Sequence, residues 1–197
     1  MQILEPQYFT IQEYLNLEEK ADFKSEYIDG RIIPMAGGTA NHNRISGNFY
    51  AILNFAFRQQ DYEVFNSDMR LWIAKQRIYT YPDISIVAGK IEFLENRTDT
   101  ITNPKLIVEV LSKSTESYDK EGKFKAYRTI PSFEEYLLVE QDRIFVEHFY
   151  KTANKRWSLQ EYDAEDEFIN LVTISLEIKL QDLYNKVEFD VKSDVEQ

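Results

Sequence analysis

Leu106-Ile107-Val108-Glu109-Val110-Leu111-Ser112-Lys113-Ser114-Thr115-Glu116-Ser117-Tyr118-Asp119-Lys120-Glu121-Gly122-Lys123-Phe124-Lys125-Ala126-Tyr127 decides how the rest of the chain is read. Its first half is a β-branched apolar run between Pro104 and a serine and threonine cluster, the pattern of a strand buried on both faces. Glu109 interrupts that run. A carboxylate on a buried strand is costly unless a cation, a hydrogen-bond donor or a metal compensates it. The second half reads as a helix that Ser114 or Thr115 can cap, with Phe124 and Tyr127 inward and Asp119, Lys120, Lys123 and Lys125 distributed around it. Asp119 and Lys123, four apart, are neighbours on one face.

Working outward, the nearest acid that could join Glu109 lies upstream, where Tyr81-Pro82-Asp83 opens a strand ending near Val87. Strands are also expected at Glu63–Phe65, Met69–Ile73 and Arg77–Tyr79, and a core helix from His42 to about Gln60, capped by Thr39 or Asn41. Phe23 to Met35, with Asp29-Gly30 at its centre, reads as a β-hairpin, because those two residues suit the positive φ angles of a tight turn. Glu26 lies on its first strand. Thr10 followed by Glu13 is a capping box for a short helix.

Downstream of the central stretch, Pro131 stops the helix, and strands follow at Glu135–Glu140, Ile144–Tyr150 and Arg156–Tyr162. His148 alternates on an exposed strand, and Leu180–Tyr184 is a short amphipathic piece. Residues 89–103 read as a loop with a little helix. A strand, helix, strand run from Leu106 to Val139 implies a parallel crossover, whereas the hairpins around it are antiparallel. The fold class is therefore α/β of the mixed α+β kind, a mixed β-sheet flanked by helices with extra antiparallel hairpins.

With 197 residues, 43% of them hydrophobic, the chain is long enough for one domain with a proper core and too short for a second independent one. Cysteine is absent, which excludes disulfides and thiolate zinc sites, and the two histidines, His42 and His148, are far apart. No apolar run approaches the roughly 20 residues of a membrane span, and the N-terminus lacks the pattern of a leader, so a soluble cytoplasmic protein is expected. The net charge of −11 argues against nucleic acid at first sight. Its distribution weakens that objection: acids crowd the segment after Ser158, while Lys105, Lys113, Lys120, Lys123, Lys125 and Arg128 cluster around the central stretch. Residues 186–197 are expected to form a poorly ordered acidic tail.

Pro82-Asp83, then Glu109 on a later strand with a lysine nearby, resembles the PD-(D/E)XK nuclease superfamily. More closely, Ser25-Glu26-Tyr27-Ile28-Asp29-Gly30, Met35-Ala36-Gly37, His42, Tyr81-Pro82-Asp83, Val108-Glu109-Val110-Leu111-Ser112, Ser114-Thr115, Asp119, Lys123, Tyr127 and Glu135-Tyr136 are similar to the Uma-two family, described as restriction endonucleases. The match spans nearly the whole chain and implies a single restriction-endonuclease-like domain over residues 1–197. One departure from the superfamily stands out: the lysine expected two residues after Glu109 is Leu111. The resemblance implies that this lysine has moved to the following helix, where Lys123 occupies the matching place and Lys120 and Lys125 are rivals.

What the resemblance implies chemically is a DNA endonuclease in which Asp83 and Glu109, with the backbone carbonyl of Val110, hold Mg²⁺ or Mn²⁺, a hard cation that takes oxygen ligands. Lys123 would orient or deprotonate the attacking water, or stabilise the phosphate. Glu26 is a candidate outer ligand; Asp119, Lys120 and His42 are secondary candidates. Each residue also has a plainer role open to it: Asp83 as a turn residue, Glu109 in a buried ion pair, Lys123 and Asp119 as a surface pair, Glu26 as a cross-strand partner, His42 as a helix N-terminal residue. The alternative at the level of the protein is a catalytically inactive nuclease fold serving as a binding or assembly module. Nucleases of this fold commonly pair, so a homodimer is expected, whereas sequence specificity is not readable, since no helix-turn-helix, zinc module or basic arm accompanies the core.

Overall fold

The computed structural model describes residues 7–112 and 116–189. In chain order, α1 (Ile11–Glu18) leads into the hairpin β1 (Ser25–Ile28) and β2 (Arg31–Pro34), then α2 (Ala40–Phe57), β3 (Tyr62–Asn66), β4 (Arg70–Ile73), β5 (Ile78–Thr80) and β6 (Ile84–Ala88). There follow β7 (Thr100–Ile101), β8 (Leu106–Leu111), a π-helical turn (Tyr118–Lys123) running into α3 (Phe124–Tyr127), β9 (Glu135–Glu140), β10 (Phe145–Ala153), β11 (Arg156–Asp163), β12 (Phe168–Leu171), β13 (Leu176–Lys179) and α4 (Leu180–Leu183). Among the described residues no helix is long and apolar enough to cross a membrane.

The local reasons are those of the sequence. Thr10 and Glu13 form the reciprocal capping box of α1, and the Thr39 side chain caps α2 by accepting from the His42 amide. At the first hairpin Asp29 and Gly30 both have positive φ, 42° and 99°, the turn whose twist matches the strands. The expected cap at Ser114 or Thr115 lies outside the described residues.

β8 is the middle of a six-stranded sheet ordered β11-β10-β9-β8-β6-β3, in which β8 and β9 are parallel and the other pairings antiparallel. All six of its residues are buried. Because successive side chains point to opposite faces, Leu106, Val108 and Val110 join the core beneath α2, with Ile45, Phe49, Leu53 and Phe57 of that helix. Ile107 and Leu111 join the core beneath α3, with Tyr127, Phe133 and Tyr136. Glu109 belongs to this second face. A second sheet, β2-β1-β5-β4-β7, brings the first hairpin alongside, with Tyr14, Tyr27 and Tyr79 as its own small core.

Four expectations change. Residues 89–103 contain the short strand β7 and no helix, and Arg97 there pairs with Asp99 at 2.6 Å and with Glu19 at 3.1 Å. The acidic segment holds a hairpin, β12 and β13, whose buried Ile169, Leu171 and Ile178 complete the core under α2. Within the expected tail, Val187 and Phe189 pack against that core, and residues 190–197 lie outside the described ones. His148 is fully buried, 2.6 Å from Glu135, because the face of β10 it shares with Val146 points inward.

Candidate active site

β6 and β8 are antiparallel neighbours with Ile84 opposite Val108. That register sets Asp83, one residue before the ladder begins, beside the C-terminal half of β8. The Val110 amide donates to Asp83 Oδ2 at 2.8 Å, and the Asp83 amide points at Glu109 Oε2 at 3.4 Å. Asp83 is thus tied to the backbone next to Glu109, and Glu109 to the backbone of Asp83. A strand residue sends its N–H and C=O to the same edge, so the Val110 carbonyl leaves β8 on the Asp83 side.

The π-helical turn supplies the cation. Lys123 is buried at its end, with Nζ 3.1 Å from Glu109 Oε1, 3.0 Å from Asp119 Oδ1 and 3.5 Å from Glu26 Oε1. Gly122 permits the winding: a Cβ there would fall 2.6 Å from the Tyr118 ring. Tyr127, one turn further along, donates its hydroxyl to Glu109 Oε1 at 2.6 Å, and the Tyr136 hydroxyl donates to the Asp119 carbonyl at 3.1 Å. Glu26 arrives from β1 and also accepts from the Thr80 hydroxyl. From α2, His42 Nε2 lies 3.1 Å from Asp83 Oδ2.

These contacts sort the sequence candidates. Asp83, Glu109, Lys123, Glu26, Asp119 and His42 converge. Lys120 does not: it pairs with Glu147 at 2.8 Å and Glu116 at 3.1 Å. Lys125 is exposed. The Lys123–Asp119 pair is buried and not a surface pair, since both residues are more than nine-tenths covered. Two contributors, Tyr127 as a donor to Glu109 and Thr80 as a donor to Glu26, were not legible as site residues. Tyr127 reads as core, and Thr80 lies just ahead of the Tyr81-Pro82-Asp83 signal with nothing to connect it to Glu26.

The electrostatics are those of a cluster short of positive charge. Burial pushes the Glu109 carboxyl up, to about 8, with Lys123 opposing the shift and Asp119 and Asp83 reinforcing it. For Lys123, burial works to lower the pKa, but Glu109, Glu26 and Asp119 outweigh it and hold the ammonium well above its usual range. His42 shows the same contest, in which burial is overcome by the hydrogen bond and charge of Asp83, and its pKa is raised.

Four carboxylates therefore face one ammonium and one imidazole, a negative excess that a divalent cation would offset. Among the described residues no three or more histidine or acidic side chains form a ready-made cage. Such a donor set suits Mg²⁺, which is bound through one or two carboxylates and keeps several waters, better than a metal that needs an all-protein shell. Asp83, Glu109 and the Val110 carbonyl are the groups that fit it.

A family model described as "Uma2: Putative restriction endonuclease" matches residues 11–181. The chain is 47% identical over 157 residues to the uncharacterized protein sll1609 of Synechocystis sp. (strain ATCC 27184 / PCC 6803 / Kazusa), covering 80% of this chain and 89% of that protein. It is 35% identical over 178 residues to a second uncharacterized protein of the same organism, slr1290, covering 90% of this chain and 92% of that protein. A crystal structure described as "a putative nuclease belonging to DUF820" from Anabaena variabilis ATCC 29413 superposes with a TM-score of 0.73 at 21% identity, covering 89% of this chain and 97% of that one. At that identity the likeness concerns the fold.

Proposed function

Because the chain belongs to the Uma2 family, we propose that it is a metal-dependent endonuclease that hydrolyses DNA phosphodiester bonds, with Asp83 and Glu109 as metal ligands and Lys123 as the catalytic lysine. The observation that carries this reading is the meeting of the Lys123 ammonium and the Glu109 carboxylate at 3.1 Å, at the same strand end as Asp83. When bound, Mg²⁺ or Mn²⁺ would supply Lewis acidity toward the phosphate and acidify its own water.

The rest is the work of the chain's side chains. Asp83 is oriented by the Val110 amide and His42, both through Oδ2, so its other oxygen is not engaged by either. Glu109 is held by the Tyr127 hydroxyl and Lys123 through one oxygen, leaving Oε2 on the Asp83 side. Lys123, locked among Glu26, Glu109 and Asp119, presents a fixed cation to a scissile phosphate and its attacking water, which favours charge stabilisation and orientation of that water. His42 positions Asp83, and Glu26 positions Lys123. A homodimer, which would set two such sites against two strands, belongs to the same reading and is tested by sedimentation.

Incubation of supercoiled plasmid with the protein and Mg²⁺ or Mn²⁺ tests the reading. Nicking that disappears in both Glu109→Ala and Lys123→Ala supports it; nicking that survives both removes these residues from the mechanism. Titration calorimetry with Mn²⁺ gives a second readout: heat lost in Asp83→Asn supports the ligand assignment, and unchanged heat overturns it.

A further inference from the structure

On the sheet face that carries α3, away from the acidic cluster, lies a cleft of about 230 Å³ lined by Lys125, Arg128, Lys151 and Lys155 together with Asn154 and Trp157, and no acid lines it. Lys125 and Arg128, three apart, share one face of α3. They stand about 200° and 140° around the helix from Lys123, so the same short segment turns one cation into the acidic cluster and two outward. Lys151 lies near the end of β10, and Lys155, at φ 59°, stands in the turn to β11. Among the described residues none of the four has a carboxylate at ion-pair distance. In a chain of net charge −11, four unneutralised cations in one concavity are a local reversal of sign.

We propose that this cleft binds the sugar–phosphate backbone of a duplex nucleic acid, outside the scissile phosphate. The proposal rests on the nuclease reading for its choice of polyanion and deepens it by naming the surface that holds the substrate. Backbone and not base is the target because the aromatic ring in the cleft is already engaged: Trp157 packs against Phe124 and Phe133, with ring centroids 5.3 Å and 5.4 Å away. Arg128 likewise lies over the Phe124 ring at 4.7 Å, which braces its guanidinium. Grooves for single strands combine positive charge with free aromatic faces for stacking. Here the cations have no carboxylate partner among the described residues, and the ring is already packed.

Fluorescence anisotropy of a short labelled duplex, recorded in EDTA across a salt series, tests the cleft without requiring cleavage. A fourfold variant, Lys125→Ala, Arg128→Ala, Lys151→Ala and Lys155→Ala, is compared with one in which four exposed lysines elsewhere are changed, Lys20→Ala, Lys75→Ala, Lys90→Ala and Lys186→Ala, so that net charge changes equally. In the cleft variant the expected result is weaker binding and a salt slope shallower by about 1 unit for each phosphate no longer neutralised. The other variant keeps the parent slope, and both melt like the parent protein. Equal behaviour of the two variants, no binding of the parent protein at low salt, or tighter binding of single strand than duplex overturns the proposal. Plasmid nicking by a cleft variant that binds as the parent does leaves the nuclease reading standing and sinks the cleft. Cleft-dependent binding without any nicking does the reverse.

Discussion

Lys123 Nζ and Glu109 Oε1 lie 3.1 Å apart across fourteen residues of chain, joining the turn after β8 to the middle of that strand. The pair is buried, and Asp119 and Glu26 share the same ammonium. Removing the cation leaves acids without compensation in the interior, which is more costly than losing any surface pair.

Lys123→Ala is accordingly expected to destabilise the protein by about 3–5 kcal/mol in urea unfolding and to lower plasmid cleavage by about 10²–10³-fold. Lys123→Met, which keeps the stem, should recover part of the stability and none of the activity. Full stability of both variants would contradict the buried pairing.

Lys120→Ala separates the two lysines. Lys120 sits in partly exposed pairs with Glu116 and Glu147, so its loss should change stability by no more than about 1 kcal/mol and leave cleavage intact. A cleavage defect as large as that of Lys123→Ala would reassign the catalytic lysine.

Tyr127→Phe removes the hydroxyl that donates to Glu109 at 2.6 Å without changing the packing of the ring against Phe133 and Tyr136. The expected cost is about 1–3 kcal/mol, the range for leaving a buried hydrogen-bonding group without its partner, with cleavage reduced and not abolished. Paired denaturation curves and nicking rates for the two proteins check both parts.

Glu135 governs an acid-side prediction. Burial works to raise its pKa, but hydrogen bonds from His148, the Thr173 hydroxyl and the Thr173 amide outweigh it and hold the carboxyl below the usual glutamate range. A depressed carboxylate contributes stability that is fully present above the unfolded value, about 4.3, and is lost as pH falls through the folded value. Glu135→Gln should therefore lower stability at neutral pH and flatten the acid limb of a stability–pH curve below about 4.3. Parallel curves for the parent protein and variant would refute this.

Legibility tracked how local each signal was. The Asp29-Gly30 turn, the Thr10 and Glu13 capping box, the buried β8 run with its one acid and the parallel step to β9 were all readable, because each is written in neighbouring residues. The family and the fold class followed from the ordered motifs, and both hold. The β12–β13 hairpin was missed because Val172 to Ser175 carries none of the glycine, proline or asparagine that marks a tight turn, and acids on either side mask its alternation. His148 was misplaced because its partner, Glu135, lies on the adjacent strand, and strand pairing is non-local. The choice among Lys120, Lys123 and Lys125 depended on helical phase, and a turn wound wider than an α-helix shifts that phase in a way spacing alone does not disclose.

That wide turn makes chain length, and not residue chemistry alone, a determinant of the site. Excising Gly122 would let the segment rewind as ordinary α-helix, which keeps the flanking turns nearly in phase but shortens the interval from Asp119 to Lys123 to three residues. Every ionisable group would still be encoded, yet Asp119 and Lys123 would no longer stand four apart. A single-codon deletion that unfolds nothing and still silences the protein would be the signature of this geometry; one that leaves nicking intact would show the winding to be dispensable.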